Sequence, residues 1–151
     1  METTQTIAVL EDLNQTLEDG REGFRSAAEK LAEDGHEQLA AEMREFSSQR
    51  EQLSRELVRT SADRGLTIDT GEGTAAGALH RGWMSMKDTL TGNDPHAILS
   101  AAERGEDHAV AQYRDALSED LPAEIRAVVD QQAAVVKAAH DRVRDLRDSR
   151  A

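Results

Sequence analysis

The sequence has 151 residues but no cysteine, only two prolines and few aromatic residues. Without cysteine the chain can form no disulfide, no thiolate nucleophile and no cysteine-ligated zinc site, which suits a reducing cytosol. No apolar run reaches the roughly eighteen residues that a transmembrane helix needs, and residues 1–8 lack the basic and apolar segments of a secretion signal. We therefore expect a soluble, cytoplasmic protein.

Basic residues are also scarce. Lysine and arginine number 18 against 30 aspartates and glutamates, which gives a net charge of −12. This charge repels phosphate backbones and anionic lipid, and no basic cluster offsets it. The sequence therefore predicts neither a nucleic-acid partner nor a membrane partner.

Four long stretches carry apolar residues at alternating three- and four-residue spacing, which predicts amphipathic helices. We expect helix A at 4–33, helix B at 36–63, helix C at 95–118 and helix D at 122–148. A turn at Asp34 and Gly35 separates A from B. Asp94 is a natural N-cap before Pro95, and Pro122 opens helix D. The whole chain is expected to form one domain.

Helices B and C are separated by residues 64–94, a glycine-rich stretch with a shorter amphipathic segment at 75–90. Two hairpins joined by a long crossover are the topology of ferritin-like bundles, in which the crossover spans the length of the bundle. The predicted fold is therefore all-α, a ferritin-like antiparallel four-helix bundle with a helix-containing crossover.

The apolar pattern lapses once near the middle of each helix, at Gly20, Arg50, Glu106 and Gln132. Gly20 and Arg50 lie about fifteen residues from the A–B turn, and Glu106 and Gln132 about thirteen from the C–D turn, so all four are expected at one level. Because Gly20 has no side chain, Arg50 has room to reach Glu106. We predict a buried polar layer of Arg50, Glu106 and Gln132 that sets the register of the helices.

A metal centre at this level is the alternative, but the ligands do not suit it. A di-iron carboxylate site needs a Glu-x-x-His pair on each of two helices, and the only such pair, Glu33 to His36, straddles a glycine turn. The fixed charge of Arg50 also disfavours a cation there. A weaker candidate for iron, manganese or zinc is Glu103, Glu106 and His140, which could meet across helices C and D.

His80 and Trp83 lie on the apolar side of the segment at 75–90, where a tryptophan would pack that helix onto the bundle. Small and apolar residues at 77–86 exceed what one packing face requires, so this stretch is the candidate docking surface. No serine is placed beside a base, and the glycines lack the ending of a phosphate-binding loop. A carrier with a small-ligand pocket under the crossover helix is a third possibility.

Several strings of residues, in order along nearly the whole chain, resemble bacterial four-helix-bundle proteins that are classed as ferritin-like and otherwise have no known function. These strings lie at 19–29, 78–83, 103–107, 113–117 and 139–144. The resemblance implies a ferritin-like fold and an association with bacterial stress physiology, and it transfers no catalytic residue. We expect a non-catalytic, stress-associated structural or interaction module that forms a homodimer or binds another protein, without a cofactor. The alternative is a metal-binding oxidase or storage module.

Overall fold

The computed structural model describes residues 2–69 and 94–150, and within them the regular secondary structure is entirely helical. The helices are α1 (Thr3–Glu33), α2 (Glu37–Asp63), α3 (Pro95–Leu117) and α4 (Ala123–Asp148). Each end lies within one residue of the end expected from the apolar periodicity. The predicted helix at 75–90 falls outside the described residues, as does most of the 64–94 connection.

The helix ends follow local chemistry. Gly35 adopts a φ of +80° in the α1–α2 turn, a conformation that glycine tolerates without strain. At the start of α3 the side chain of Asp94 accepts a hydrogen bond from the backbone N–H of His96 at 3.0 Å, and Pro95 occupies the first turn. The predicted Asp94 cap is therefore confirmed. Pro122 is the N-cap residue of α4, one position before the helix begins.

Among the described residues the apolar core forms two clusters, one toward each end of the helices. The first cluster contains Phe24, Ala27, Ala28, Leu31, Leu39, Ala40, Met43, Ile98, Leu99, Ala101, Ala102 and Val143. The second contains Leu10, Leu13, Leu17, Leu57, Leu66, Ile68, Ala109, Tyr113, Ala116, Leu121, Ile125, Val129 and Val136. Along α1, α2 and α3 the clusters are separated by the stretches that hold Gly20, Arg50 and Glu106.

Side-chain hydrogen bonds link α1 to α2 and α3 to α4. Between α1 and α2, the Ser47 hydroxyl donates to the backbone oxygen of Arg21 at 2.8 Å, and the Ser54 hydroxyl donates to Asn14 Oδ1 at 2.5 Å. Between α3 and α4, the Tyr113 hydroxyl donates to Gln132 at 2.9 Å. In addition, α1 packs on α3, and α2 packs less extensively on α4. None of the helices in the described part of the chain has the length and hydropathy that a transmembrane span requires.

Candidate functional site: a buried ion pair and an α3–α4 carboxylate–histidine cluster

Arg50 and Glu106 form an ion pair in the interior, between the two apolar clusters. Arg50 Nη2 donates to Glu106 Oε2 at 2.5 Å, and both side chains are 0% exposed. The pair joins α2 to α3 across the interior. The contact that was predicted between these two residues is thus present in the structure.

The space for the Arg50 side chain comes from α1. A Cβ placed on Gly20 would lie 3.0 Å from Arg50 Nη1 and 3.5 Å from its Cγ. On the next turn of α1, the Phe24 ring lies with its centroid 5.2 Å from Arg50 Cζ, a cation–π distance. Gly20 therefore leaves space for the guanidinium, and the aromatic ring of Phe24 packs against it.

The ion pair leaves some of its hydrogen-bonding capacity unused. Arg50 Nε and Nη1 and Glu106 Oε1 are buried without a hydrogen-bond partner among the described residues. Burial raises the pKa of Glu106, and the charge and hydrogen bond of Arg50 oppose that rise. Since a buried charge without its partner is costly, each residue depends on the other for its place in the core.

Gln132 is buried as expected, but its hydrogen bonds lead away from the ion pair. Gln132 Nε2 donates to the backbone oxygen of Leu53 at 3.0 Å and to Glu56 Oε1 at 2.9 Å, and its Oε1 accepts from Tyr113. Leu53 lies about one helical turn beyond Arg50 on α2. Counting from the C–D turn placed Gln132 level with Arg50, but helix ends and turns define a level only to within about a turn.

A second polar cluster lies where α3 meets α4. Ligand atoms of Glu103, Asp107 and His140 all lie within 4.8 Å of one another. We call these three residues the α3–α4 cluster. The sequence-based candidate set had Glu106 in place of Asp107. Neighbouring helical residues point about 100° apart, and in the structure it is Asp107 that contacts His140, while Glu106 turns inward to Arg50.

Both ring nitrogens of His140 face carboxylates. Nε2 lies 2.6 Å from Asp107 Oδ1 and Nδ1 lies 3.0 Å from Asp141 Oδ1. Burial lowers the pKa of His140, but the hydrogen bonds to Asp141 and Asp107 outweigh it, so the pKa is raised. Hydrogen bonds from Lys137 and then His140 lower the pKa of Asp141 to about 2. The site thus brings an imidazole nitrogen together with carboxylate oxygens.

The family match covers most of the chain. Residues 5–119 match a domain of unknown function, DUF2383. The chain belongs to the DUF2383 family. No curated protein matches the sequence.

The DUF2383 match covers α1 from residue 5 onward and all of α2 and α3, and it ends before α4. Arg50 and Glu106 therefore lie inside the matched region, and so do Glu103 and Asp107. Gln132 and His140 lie beyond it on α4. In this DUF2383 protein the buried ion pair is thus formed wholly within the family domain, whereas the α3–α4 cluster takes one of its three side chains from outside the match.

Two features of this DUF2383 protein were not anticipated from its sequence. Asn14 and Ser54 form a buried hydrogen bond between α1 and α2, and Tyr113 joins the network of Gln132. Tyr113 lies on the apolar stripe of α3, and that position alone does not indicate a polar role. Asn14 and Ser54 lie next to the stripes, and only the packing of two helices shows that they meet.

The predicted docking surface at 77–86, including His80 and Trp83, lies outside the described residues. The same is true of the crossover helix, beneath which a small-ligand pocket is the third possibility.

Proposed function

We propose that this DUF2383 protein is an antiparallel, ferritin-like four-helix bundle. The contacts between the hairpin partners support opposite helix directions. Ser47 meets Arg21 and Ser54 meets Asn14, so contacts move toward the start of α1 as they move toward the end of α2. Between α3 and α4, Asp107 meets His140 and Tyr113 meets Gln132, so these contacts also run in opposite directions along the two helices. A crossover at 64–94 then connects the two hairpins, as in ferritin-like folds.

The bundle acts as a non-catalytic scaffold rather than as an oxidase. The observation that carries this proposal is the fully buried contact of Arg50 with Glu106. A guanidinium stays charged at every physiological pH, so it repels a cation from the level at which ferritin-like bundles hold their dimetal centres. Gly20 adds no ligand from α1, and the carboxylate of Glu106 is already bound to Arg50. These residues do not fit a dimetal centre.

We propose that the bundle acts through its surface. We assign it a stress-associated structural or protein-interaction role in the bacterial cytoplasm, as a homodimer or bound to another protein. The acidic composition and the resemblance to bacterial ferritin-like bundles support this assignment. Light scattering over a range of protein concentrations tests the dimer, because a protein that stays monomeric at the highest concentration contradicts it.

Metal analysis tests the scaffold proposal. We expect ferrous iron to oxidise in air at the same rate with and without the protein, and we expect the rate to be unchanged in Glu106→Gln. Protein purified without chelator should carry no iron or manganese whose content depends on Glu106. Stoichiometric metal that is lost in Glu106→Gln but kept in Asp107→Asn would place a centre in the interior and refute the scaffold.

A further inference from the structure

The α3–α4 cluster has the composition and spacing of a metal site. Glu103 and Asp107 are one turn apart on α3, and His140 approaches them from α4. The side chains of Glu103 and His140 are only 16% and 14% exposed, while that of Asp107 is 58% exposed. Two of the three side chains are thus largely packed, and the third, Asp107, is exposed to solvent.

The orientation of His140 is what separates this cluster from an ordinary acidic surface. Asp141 accepts from Nδ1, and Asp141 is itself held by both of its oxygens, each 2.8 Å from Lys137 Nζ. That contact turns Nε2 toward Asp107. Metal-binding histidines in proteins donate their second ring N–H to a carboxylate in this way, which fixes the tautomer and the ring plane.

Glu103 is already paired with a basic side chain of α4. Its Oε2 is buried and forms an ion pair with Arg147 Nη1. Arg147 also contacts Asp148 at 2.8 Å, so its guanidinium can be retained there when a cation approaches Glu103.

We propose that Glu103, Asp107 and His140 bind one divalent first-row cation of the zinc type. His140 Nε2 and one oxygen from each carboxylate supply three ligands, and water occupies the fourth position. One imidazole with two carboxylates suits zinc, and also iron or manganese when those are more available. On binding, the proton on His140 Nε2 is released to solvent and the cation takes its place against Asp107. This site is separate from the buried ion pair and goes beyond the scaffold proposal.

Cobalt(II) and zinc titrations of the full-length, metal-free protein test the site. We expect one equivalent of cobalt to bind, with visible absorption typical of a low-coordinate site, and zinc to displace it. His140→Ala and Asp107→Asn should each weaken binding at least about ten-fold, and Asp141→Asn by about ten- to a hundred-fold through loss of the orienting contact. Circular dichroism confirms that each variant is folded; Asp107→Asn is the safest because Asp107 is exposed.

His108→Ala is the matched control, since His108 is an exposed histidine next to Asp107 on the same helix. Its affinity should equal that of the unmodified protein. The site is refuted if the unmodified protein binds no cobalt, if folded Asp107→Asn binds as tightly, or if His108→Ala weakens binding as much as His140→Ala. Zinc binding that survives in Glu106→Gln and disappears in Asp107→Asn supports this site and leaves the scaffold proposal intact. Zinc binding that survives in Asp107→Asn and disappears in Glu106→Gln overturns both the proposed site and the scaffold proposal.

Discussion

A Cβ on Gly20 would lie 3.0 Å from Nη1 of Arg50, and that Arg50 side chain is fully buried. The glycine in the middle of α1 therefore makes room for the arginine of α2. Such a contact is tighter than most Cβ contacts in folded proteins, and the hydrogen bond from its other terminal nitrogen to Glu106 limits how far Arg50 can move.

Gly20→Ala should destabilise the protein by about 1 kcal/mol, although alanine is the better helix former by about the same amount. The reason is overpacking against Arg50, which costs about 1 to 3 kcal/mol in a filled core. Urea unfolding measures the difference. In an Arg50→Met background the same substitution should be neutral or stabilising. If Gly20→Ala stabilised the unmodified protein by about 1 kcal/mol, the close approach would have no energetic consequence.

Arg50→Met and Glu106→Leu should each reduce the free energy of unfolding by about 3 to 5 kcal/mol, because each leaves a buried charge without its partner. The double variant should be far more stable than the sum of the single losses implies, since an apolar pair removes both charges together. A double-mutant cycle from urea unfolding gives the coupling. Additive losses would mean that the two residues act independently.

Ser54→Ala should cost about 1 to 3 kcal/mol, because it removes the donor to the buried oxygen of Asn14. Ser48→Ala provides the control: Ser48 is an exposed serine on the same helix, and its replacement should change stability by less than about 0.5 kcal/mol. Thermal and urea unfolding of both variants make the comparison. Equal effects of the two substitutions would contradict the inter-helix hydrogen bond.

Tyr113 should remain neutral in the folded protein well above pH 10. Burial raises the pKa of Tyr113, with Arg50 opposing and Glu56 adding to the rise. In the unfolded chain the phenol ionises near pH 10, so above that pH the unfolded state binds fewer protons than the folded state. The free energy of unfolding therefore falls as the pH rises from about 10 toward the folded pKa.

Absorbance near the tyrosinate band reports this directly, because the chain has a single tyrosine. The phenolate signal should appear together with the loss of helical circular dichroism. In Tyr113→Phe, the fall in stability above about pH 10 should be shallower. A phenolate that appears near pH 10 in a fully helical protein would show that the side chain is exposed.

The positions of the helices could be predicted from the periodicity of the sequence. An apolar stripe, a glycine turn and the Asp94–Pro95 start are local signals, since each depends on residues within a few positions of one another. The interruptions of the apolar stripe at Gly20, Arg50 and Glu106 can also be read from the sequence. A buried polar side chain needs a partner, so Arg50 and Glu106 are expected to meet across the interior.

The partners of the polar residues depended on the packing between helices. Gln132 bonds Tyr113 and Glu56 instead of joining the ion pair, and Asp107 rather than Glu106 meets His140. Periodicity gives the angular position of a residue around the axis of its own helix. It gives neither the axial offset nor the rotation of the neighbouring helix. A shift of one turn, about 5.4 Å, exceeds the reach of a hydrogen bond, so such pairings are settled only when the helices pack together.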